Sequence, residues 1–187
     1  MMHDSLTGQL LLAMPGMIDT NFAQSVTLIC VHTPELAIGL IINRPTNLTL
    51  RELFDHLSLA PGVRDDRLNH PVYQGGPVQP ERGFIVHSPD CIGESTQEIS
   101  DGLSMSSSKD VLEAIVQGRG PRQFLVALGY AGWKPGQLER EISENAWLSS
   151  PSSQDLIFDL PADQRWEAAA RRIGVHLDRL SIDAGHA

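Results

Sequence analysis

The chain has 187 residues, of which 41% are hydrophobic and 20% are charged. These values are ordinary for a globular protein, so they exclude a largely disordered chain and predict a single domain over residues 1–187. The formal net charge is −9 and the basic residues are scattered, which argues against direct binding to nucleic acid.

Two features bear on the compartment. The apolar run at residues 10–14 is too short to span a membrane, is ended by Pro15 and lacks the pattern of a signal peptide. The two cysteines, Cys30 and Cys91, are too few for a disulfide framework and are interpreted as small, partly buried hydrophobic residues. We therefore expect a cytoplasmic protein with no membrane partner.

The first third of the chain predicts strands followed by a helix. Apolar runs predict strands at residues 9–14, 26–32 and 36–42, and the last two are expected to pair as a hairpin. Their nearly continuous apolar character predicts that both faces of the sheet are covered. Thr49 and Glu52 have the spacing of a capping box, which predicts a helix beginning there.

The middle of the chain predicts two more strands around a hairpin and a helix. Residues 83–87 form one strand and residues 124–128 a central one. The dipeptide Asp101-Gly102 indicates a two-residue hairpin turn. A helix is expected between Ser107 and Gly118, capped near its start by serine or aspartate.

The last part predicts two helices separated by irregular structure. A short helix is expected at residues 135–143, a serine-rich loop at 149–153 and an edge strand at 155–159. Pro161 and Gly174 bracket a final helix. Because helices and strands mix without a regular βαβ alternation, the fold class is predicted as α/β (α+β), a single-domain sandwich with a mixed, largely buried sheet flanked by helices.

The first candidate binding turn is Asn43-Arg44-Pro45, at the end of a predicted strand. Asparagine tolerates unusual backbone angles, and proline keeps the preceding residue out of helical geometry. Arg44 is then a planar group of five donors at a strand end. It suits either a bound carboxylate or phosphate, or a bracing role on nearby loop carbonyls.

Two glycine-rich segments are further candidates. Gly75-Gly76-Pro77 lets the backbone come close to a ligand or to another strand. Tyr130 and Trp133 lie among three glycines in the densest aromatic and glycine cluster of a chain that is only 5% aromatic. Such residues suit an interaction site, and they equally suit a corner that fills the core.

Enzyme and metal signals are weak. The chain has seven histidines, none in a metal-binding spacing, and it has no nucleophile elbow or dinucleotide fingerprint. His32 and His87 lie at predicted strand ends and could meet in space, whereas His3 and His186 are expected to be solvated. We therefore predict no catalytic residue, no metal and no cofactor.

Several of these segments recur together in a known arrangement, and the match covers nearly the whole chain. They are Gly8 with Leu10-Leu11, Met14-Pro15-Gly16-Met17, Phe22 with Ser25-Val26, Gly39-Leu40-Ile41-Ile42-Asn43-Arg44-Pro45, Gly75-Gly76-Pro77-Val78, Arg82-Gly83-Phe84 with His87, Gly129-Tyr130-Ala131-Gly132-Trp133, Gly136-Gln137-Leu138-Glu139, Asn145 with Trp147-Leu148, and Gly185-His186-Ala187. In this order they resemble the AlgH/YqgE family of small bacterial proteins.

The resemblance implies a compact cytosolic α/β sandwich with no established activity or cofactor. Members of the family are often labelled transcriptional regulators because of effects on gene expression. The acidic balance argues against reading that label as direct DNA binding. The family offers no recognised catalytic residues to carry over.

The preferred hypothesis is a non-enzymatic regulatory or binding module that holds an unknown protein partner or small ligand in a shallow cleft. The residues expected to frame this cleft are Asn43, Arg44, Pro45, Gly75, Gly76, Pro77, Tyr130 and Trp133. The alternative is a hydrolase-like enzyme for a small molecule, with His32 or His87 as general base and Arg44 as anion anchor. A regulator that binds DNA directly is a third, less favoured hypothesis.

Overall fold

The computed structural model describes residues 4–179; His3, His186 and the segment Gly185-His186-Ala187 lie outside them. Within this range, ten strands and four α-helices follow one another in an irregular order. The strands are β1 (Gln9–Ala13), β2 (Val26–His32), β3 (Ala37–Ile41), β4 (Pro45–Thr49), β5 (Pro71–Gln74), β6 (Val78–His87), β7 (Gln97–Ser100), β8 (Leu103–Ser106), β9 (Phe124–Trp133) and β10 (Trp147–Pro151). The helices are α1 (Leu50–His56), α2 (Lys109–Val116), α3 (Gln137–Ser143) and α4 (Arg165–Arg172).

The strands form one mixed, mostly antiparallel sheet in the order β10-β1-β2-β3-β9-β6-β8-β7. β4 pairs with β5, and β5 lies parallel to β9. The sheet curls until its two ends meet: Gln154, just after β10 at one end, donates a hydrogen bond to the carbonyl of Gly102 between β7 and β8 at the other (2.5 Å). The predicted α/β class with a mixed sheet flanked by helices is confirmed.

β9 joins the two halves of the sheet, and Gly129 divides it. Its first half pairs with β5 and β6, whereas its last residues pair with β3. Gly129 has φ of +78°, a left-handed conformation that costs little only for glycine. The strand therefore loses its two-residue alternation there: Ala127 and Tyr130, three positions apart, face the same core cluster.

Three apolar clusters cover the sheet. The inner cluster gathers residues of β1, β2, β3, β6, β8 and β9 with helix α4; it includes Leu28, Val86 and Ala169. The helical cluster lies beneath α1 and α2 and includes Phe54 and Ile115. The aromatic cluster lies on the other face of β1, β2, β3 and β9 beneath α3; it contains Leu11, Ile29, Ala131, Trp133, Leu138 and Trp147.

Several element predictions are confirmed. The β2–β3 and β7–β8 hairpins form, and the capping box at Thr49 and Glu52 begins α1. Helices lie within the expected regions at α2, α3 and α4. The segments that agree are those where a long apolar period or a turn signal acts over neighbouring residues.

Two element predictions are wrong. The segment Asp155–Asp159, expected as an edge strand, is one turn of π-helix whose Leu156 and Ile157 are fully buried in the inner cluster. The serine-rich residues 149–153, expected as a loop, contain the end of β10. Ser149 and Ser150 lie opposite Leu11 and Leu10 of β1, so main-chain pairing rather than side-chain hydrophobicity places this strand.

Candidate functional site

Asn43 follows β3 and fixes the start of β2. Its Oδ1 accepts a hydrogen bond from the backbone N–H of Val26 (2.8 Å), and its Nδ2 donates to the carbonyl of Gln24 (2.9 Å). The residue is half-buried. This side chain therefore ties the end of β3 to the loop of residues 15–24, called the 15–24 loop below.

Arg44 holds the same loop by its main chain. Its Nη2 donates to the carbonyls of Ala23 (2.8 Å) and Thr20 (3.3 Å), and its Nη1 donates to the carbonyl of Asn21. Partial burial lowers the pKa of the guanidinium, while the nearby carboxylate of Asp19 acts in the opposite direction. The group forms no ion pair among residues 4–179, and two of its five N–H groups have no partner there.

Arg44 lines an open cleft of about 520 Å³, called the Arg44 cleft. Its walls come from the end of β1, the 15–24 loop, the residues just after β3, and a segment called the α4 wall, which comprises the turn before α4 with Asp163 and the first turn of α4 with Trp166 and Glu167. The lining residues are Ala13, Pro15, Ala23, Gln24, Asn43, Arg44, Asp163, Trp166 and Glu167. The two carboxylates of the lining, Asp163 and Glu167, thus belong to a segment more than one hundred residues after Arg44 in the chain.

The α4 wall is held firmly. The indole Nε1 of Trp166 donates to the carbonyl of Ala13 (3.0 Å), which fixes the helix against the end of β1. The carboxylate of Glu167 pairs with Arg171 one turn later, whereas Asp163 is exposed and forms no ion pair within residues 4–179. The cleft is therefore lined by the guanidinium of Arg44 and by the unpaired carboxylate of Asp163, which come from different segments of the chain.

Of the eight residues that the sequence grouped in one cleft, Asn43 and Arg44 line it. Pro45 is exposed at the start of β4, and Pro77 is exposed before β6. Gly75 and Gly76 are buried where the chain crosses β9. A Cβ atom at Gly76 would lie 2.1 Å from the carbonyl carbon of Tyr130, so these glycines permit a close approach of two backbones.

Tyr130 and Trp133 lie on opposite faces of the sheet. Tyr130 packs against the inner cluster, with its ring 5.8 Å from that of Phe84 in an edge-on contact. Trp133 belongs to the aromatic cluster and is 5% exposed. The structure therefore separates these two aromatic residues from each other, and neither lines the Arg44 cleft.

Glu141, which sequence reasoning missed, organises the aromatic cluster. Its Oε2 accepts hydrogen bonds from the indole N–H groups of both Trp133 and Trp147, each at 2.9 Å. Its Oε1 accepts from the amide of Gln137 (2.9 Å). A carboxylate at this position of α3, next to Leu138 and Ile142 at the spacing of one face, was the available sequence signal.

His32 and His87 are engaged in the fold rather than in the cleft. Nδ1 of His32 accepts from the backbone N–H of Leu6 (2.9 Å), so its Nε2 carries the proton and donates to Glu139 (2.8 Å). Nδ1 of His87 donates to the carbonyl of Ser88 (2.7 Å), and its Nε2 accepts from Ser106 (2.7 Å). Neither imidazole lines the Arg44 cleft.

The two cysteines lie against separate apolar clusters. Cys30 is buried in the inner cluster and Cys91 packs against the helical cluster, and both are free thiols. Burial raises the pKa of Cys30 to about 12, and burial with nearby Asp90 and Asp110 raises that of Cys91. Within residues 4–179 no group of three histidine, cysteine or acidic side chains could hold a metal ion. No helix in that part of the chain is long and apolar enough to cross a membrane.

Comparison with known proteins gives matches over almost the entire chain. A family model described as AlgH-like matches residues 10–178. A UPF0301 protein of Thioalkalivibrio sulfidiphilus is 49% identical over 183 residues, which cover 98% of this chain and 97% of that protein. A UPF0301 protein of Nitrosococcus oceani is 49% identical over 177 residues, covering 95% and 94% of the two chains.

Solved structures agree with these matches. The solution structure of the AlgH protein from Pseudomonas aeruginosa, a UPF0301 protein, superposes with a TM-score of 0.78 at 46% identity and covers 100% of both chains. The crystal structure of a Corynebacterium diphtheriae protein has a TM-score of 0.72 at 21% identity, covering 92% of this chain and 89% of that one. The second similarity shows the shared fold alone.

Proposed function

Because the chain belongs to the AlgH-like family, whose biochemistry is not established, we propose a function from its geometry: a non-enzymatic binding module whose Arg44 cleft holds a charged ligand. The ligand is either a free small molecule or a segment of a regulatory protein partner. The two free thiols in separate clusters support a reducing, cytoplasmic setting for this role.

The observation that carries the proposal is the guanidinium of Arg44 in the wall of a 520 Å³ cleft, with two N–H donors left over from bracing the loop. The volume lies in the range of about 300–1,000 Å³ that small-ligand sites occupy. A planar guanidinium held in place by its other donors is well suited to a carboxylate or phosphate, because little side-chain freedom remains to be lost.

The carboxylates on the α4 wall narrow the ligand class. Asp163 and Glu167 repel a ligand that carries negative charge alone, and Asp163 has no cationic partner within residues 4–179. A ligand that presents an anionic group to Arg44 and a cationic or N–H group to Asp163 satisfies both walls. An amino acid, a short peptide or a charged segment of a partner protein has this chemistry.

The other two functional hypotheses receive less support. An enzyme that uses His32 or His87 needs an accessible imidazole near Arg44, whereas both rings are buried and their nitrogens are hydrogen-bonded elsewhere. A DNA-binding regulator needs a basic surface, whereas the formal net charge is −9 and the cleft carries two carboxylates. We therefore propose that any regulatory role acts through a partner or ligand in the cleft.

The proposal is tested with two variants of the cleft and one control. Asp163→Asn removes the exposed cleft carboxylate without removing a hydrogen bond that holds the fold, and Arg44→Gln removes the cation. Glu35→Gln changes an exposed carboxylate in the β2–β3 turn, outside the cleft lining. Circular dichroism confirms that each variant is folded before binding is compared.

Two arms distinguish the sources of the ligand. In the first, amino acids and capped or free dipeptides are titrated while the indole N–H resonance of Trp166 is followed by NMR. In the second, proteins are captured from a nuclease-treated bacterial lysate. We expect binding by the native chain and by Glu35→Gln, and at least a tenfold loss in Arg44→Gln and Asp163→Asn. No binding in either arm, or binding unchanged in both cleft variants, would contradict the proposal.

A further inference from the structure

A smaller pocket, called the Arg165 pocket, is lined by residues of both the inner cluster and the helical cluster. Its volume is about 60 Å³. Its apolar lining includes Leu50, Phe124, Ile157 and Phe158. Its polar lining consists of His70, Tyr73 and Arg165. The pocket shares no lining residue with the Arg44 cleft, so the two sites are separate.

Arg165, the first residue of α4, is a buried cation in the wall of this pocket. Its exposed fraction is 4%. Its Nε donates a hydrogen bond to the carbonyl of Leu160 (3.1 Å), and its Nη1 donates to the carbonyl of Ile42. Its Cζ lies 5.2 Å from the centre of the Tyr73 ring. Two main-chain carbonyls and an aromatic face therefore hold the guanidinium in one orientation.

The guanidinium has no counter-ion among residues 4–179. Both of its hydrogen-bond acceptors are neutral carbonyl oxygens, and no ion pair that these residues form includes Arg165. Its neighbours in the chain, Asp163 and Glu167, line the Arg44 cleft instead. A buried charge without an opposite charge is costly, and the dipole of a helix disfavours a cation at its start. An anion beside Arg165 would relieve both costs.

The Nη2 atom of Arg165 is available to such an anion. It has no hydrogen-bond partner within residues 4–179. The side-chain polar atoms of that range that are buried away from solvent without a partner are the Oγ of Ser25 and the Oγ1 of Thr27, so solvent reaches Nη2. The hydroxyl of Tyr73 also lacks a partner there and is likewise reached by solvent. Because both residues line the pocket, we take these N–H and O–H groups as its donors.

The rest of the lining favours a small anion with an apolar part. Among residues 4–179 no carboxylate lines the pocket, although the full chain has 23 acidic residues. The pocket volume is several times the roughly 10–15 Å³ that one water molecule needs, and it is well below the roughly 300 Å³ at which drug-sized ligand sites begin. An anion of about four to six non-hydrogen atoms fits this space.

We propose that the Arg165 pocket binds a small monocarboxylate of about two to four carbon atoms, such as propionate. The carboxylate accepts hydrogen bonds from Nη2 of Arg165 and from the hydroxyl of Tyr73, and its alkyl chain lies among the apolar side chains of the lining. Inorganic phosphate suits the pocket less well, because it is more highly charged, costs more to remove from water and has no apolar part.

The experiment uses propionate as the probe. Sodium propionate is titrated into the isotope-labelled full chain at constant pH and ionic strength, and the side-chain Nε–H resonance of Arg165 is followed by NMR. Propionamide, which has a similar shape and no charge, and inorganic phosphate are the control probes. We expect saturable shifts with propionate and a dissociation constant of about 1 mM, no saturable shift with propionamide, and at least tenfold weaker binding of phosphate.

Three variants test the assignment of the donors. Tyr73→Phe removes the hydroxyl and keeps the ring beside Arg165, so the variant should fold and bind propionate about tenfold more weakly, because one hydrogen bond to a charged group is lost. Tyr130→Phe removes the hydroxyl of the other tyrosine, which does not line the pocket, and should leave binding unchanged. Arg44→Gln, in the separate cleft, should also leave it unchanged.

Four results would overturn the proposal. The first is the absence of a saturable shift with propionate up to about 20 mM, well above the expected dissociation constant. The second is equal binding of propionamide, since that would mean an apolar contact without a role for the charge of Arg165. The third is tighter binding of phosphate than of propionate. The fourth is equal binding of propionate by folded Tyr73→Phe and by the native chain.

Discussion

Arg44 and Trp133 hold the same loop from two sides. Arg44 donates hydrogen bonds to the carbonyls on either side of Phe22 in the 15–24 loop. The ring of Phe22 stacks on that of Trp133 with a centroid distance of 6.2 Å and packs edge-on against Trp147 at 5.6 Å. The turn after β3 and the aromatic cluster on β9 are therefore coupled through one short segment that also forms part of the cleft wall.

Removing the brace should loosen this loop. We expect Arg44→Ala to lower the free energy of unfolding by about 2 kcal/mol, since several carbonyls lose a charged donor. Hydrogen exchange should accelerate at the amides of Phe22 and Ala23, which both donate to the carbonyl of Asp19. The control is Arg64→Ala, at an exposed arginine outside the loop. Unchanged exchange at Phe22 and Ala23 would show that Arg44 does not hold the loop in solution.

Replacing Glu141 should lower the stability of the protein, because two tryptophans share its carboxylate as their hydrogen-bond acceptor. Glu141→Leu leaves the indole N–H groups of Trp133 and Trp147 without their acceptor, at a cost of about 1–3 kcal/mol for each buried donor. Urea unfolding followed by tryptophan fluorescence measures the loss. Glu144→Leu, at an exposed glutamate just after α3, should change stability by less than about 0.5 kcal/mol. Equal losses of stability in Glu141→Leu and Glu144→Leu would contradict the role of Glu141 as the acceptor of the two indole N–H groups.

The crossing of the backbone at Gly76 should tolerate no side chain. In Gly76→Ala the new Cβ atom would meet the backbone of Tyr130 at 2.1 Å, and neither backbone can move without disturbing β9. We expect a loss of about 3 kcal/mol in the free energy of unfolding. In Gly16→Ala the new atom has no neighbour within 4 Å, so thermal unfolding of this variant should resemble that of the native chain. A stable Gly76→Ala protein would rule out the crossing.

Stability should fall between neutral and mildly acidic pH because of His87. Burial lowers the pKa of this imidazole, against the opposing effects of its hydrogen bond to Ser88 and the nearby charge of Asp90. Below about pH 6.5 the imidazole is protonated in the unfolded chain but stays neutral in the folded chain. The contribution of His87 to the free energy of unfolding is therefore complete above that pH and is lost as the pH falls toward the lowered pKa.

The comparison uses His87→Gln, which cannot take up a proton. Urea midpoints are measured at pH 7.5 and 5.5 for both proteins. The native chain should lose more stability than the variant between these values. The carboxylates of Asp65, Asp90, Asp110 and Asp155, whose pKa values are lowered by hydrogen bonds, act below about pH 3.8 and do not interfere. Equal losses in the two proteins would exclude His87 as the source.

Prediction of secondary structure from the sequence failed at two short segments. The run Leu156-Ile157-Phe158 is apolar, but three to five residues do not distinguish the period of a strand from that of a helix. Contact with α4 and the inner cluster selects the helical form. At Ser149 and Ser150 a polar segment pairs with the edge of β1 and joins the sheet, because strand pairing uses backbone hydrogen bonds and does not require apolar side chains.

The candidate site shows the same limit of prediction from sequence. The sequence predicts Arg44 at the end of a strand, and it leaves open whether its guanidinium contacts a ligand or braces a loop. The structure shows the brace and places Arg44 in the lining of a cleft that Asp163 and Trp166 also line. No local pattern could join residues so far apart, since their proximity comes from the packing of α4 against β1.

The sequence by itself determined the family, the α/β class, the main hairpins and the capped start of α1, because these depend on neighbouring residues, periodicity and ordered motifs. Only the tertiary structure decided which of the selected residues share a surface. The left-handed Gly129 shifts the alternation of β9, so Ala127 and Tyr130 face the same cluster, and the packing of α4 against β1 brings Trp166 into the cleft that Arg44 lines. Facing direction and long-range proximity are properties of the packed chain, and short sequence patterns do not encode them.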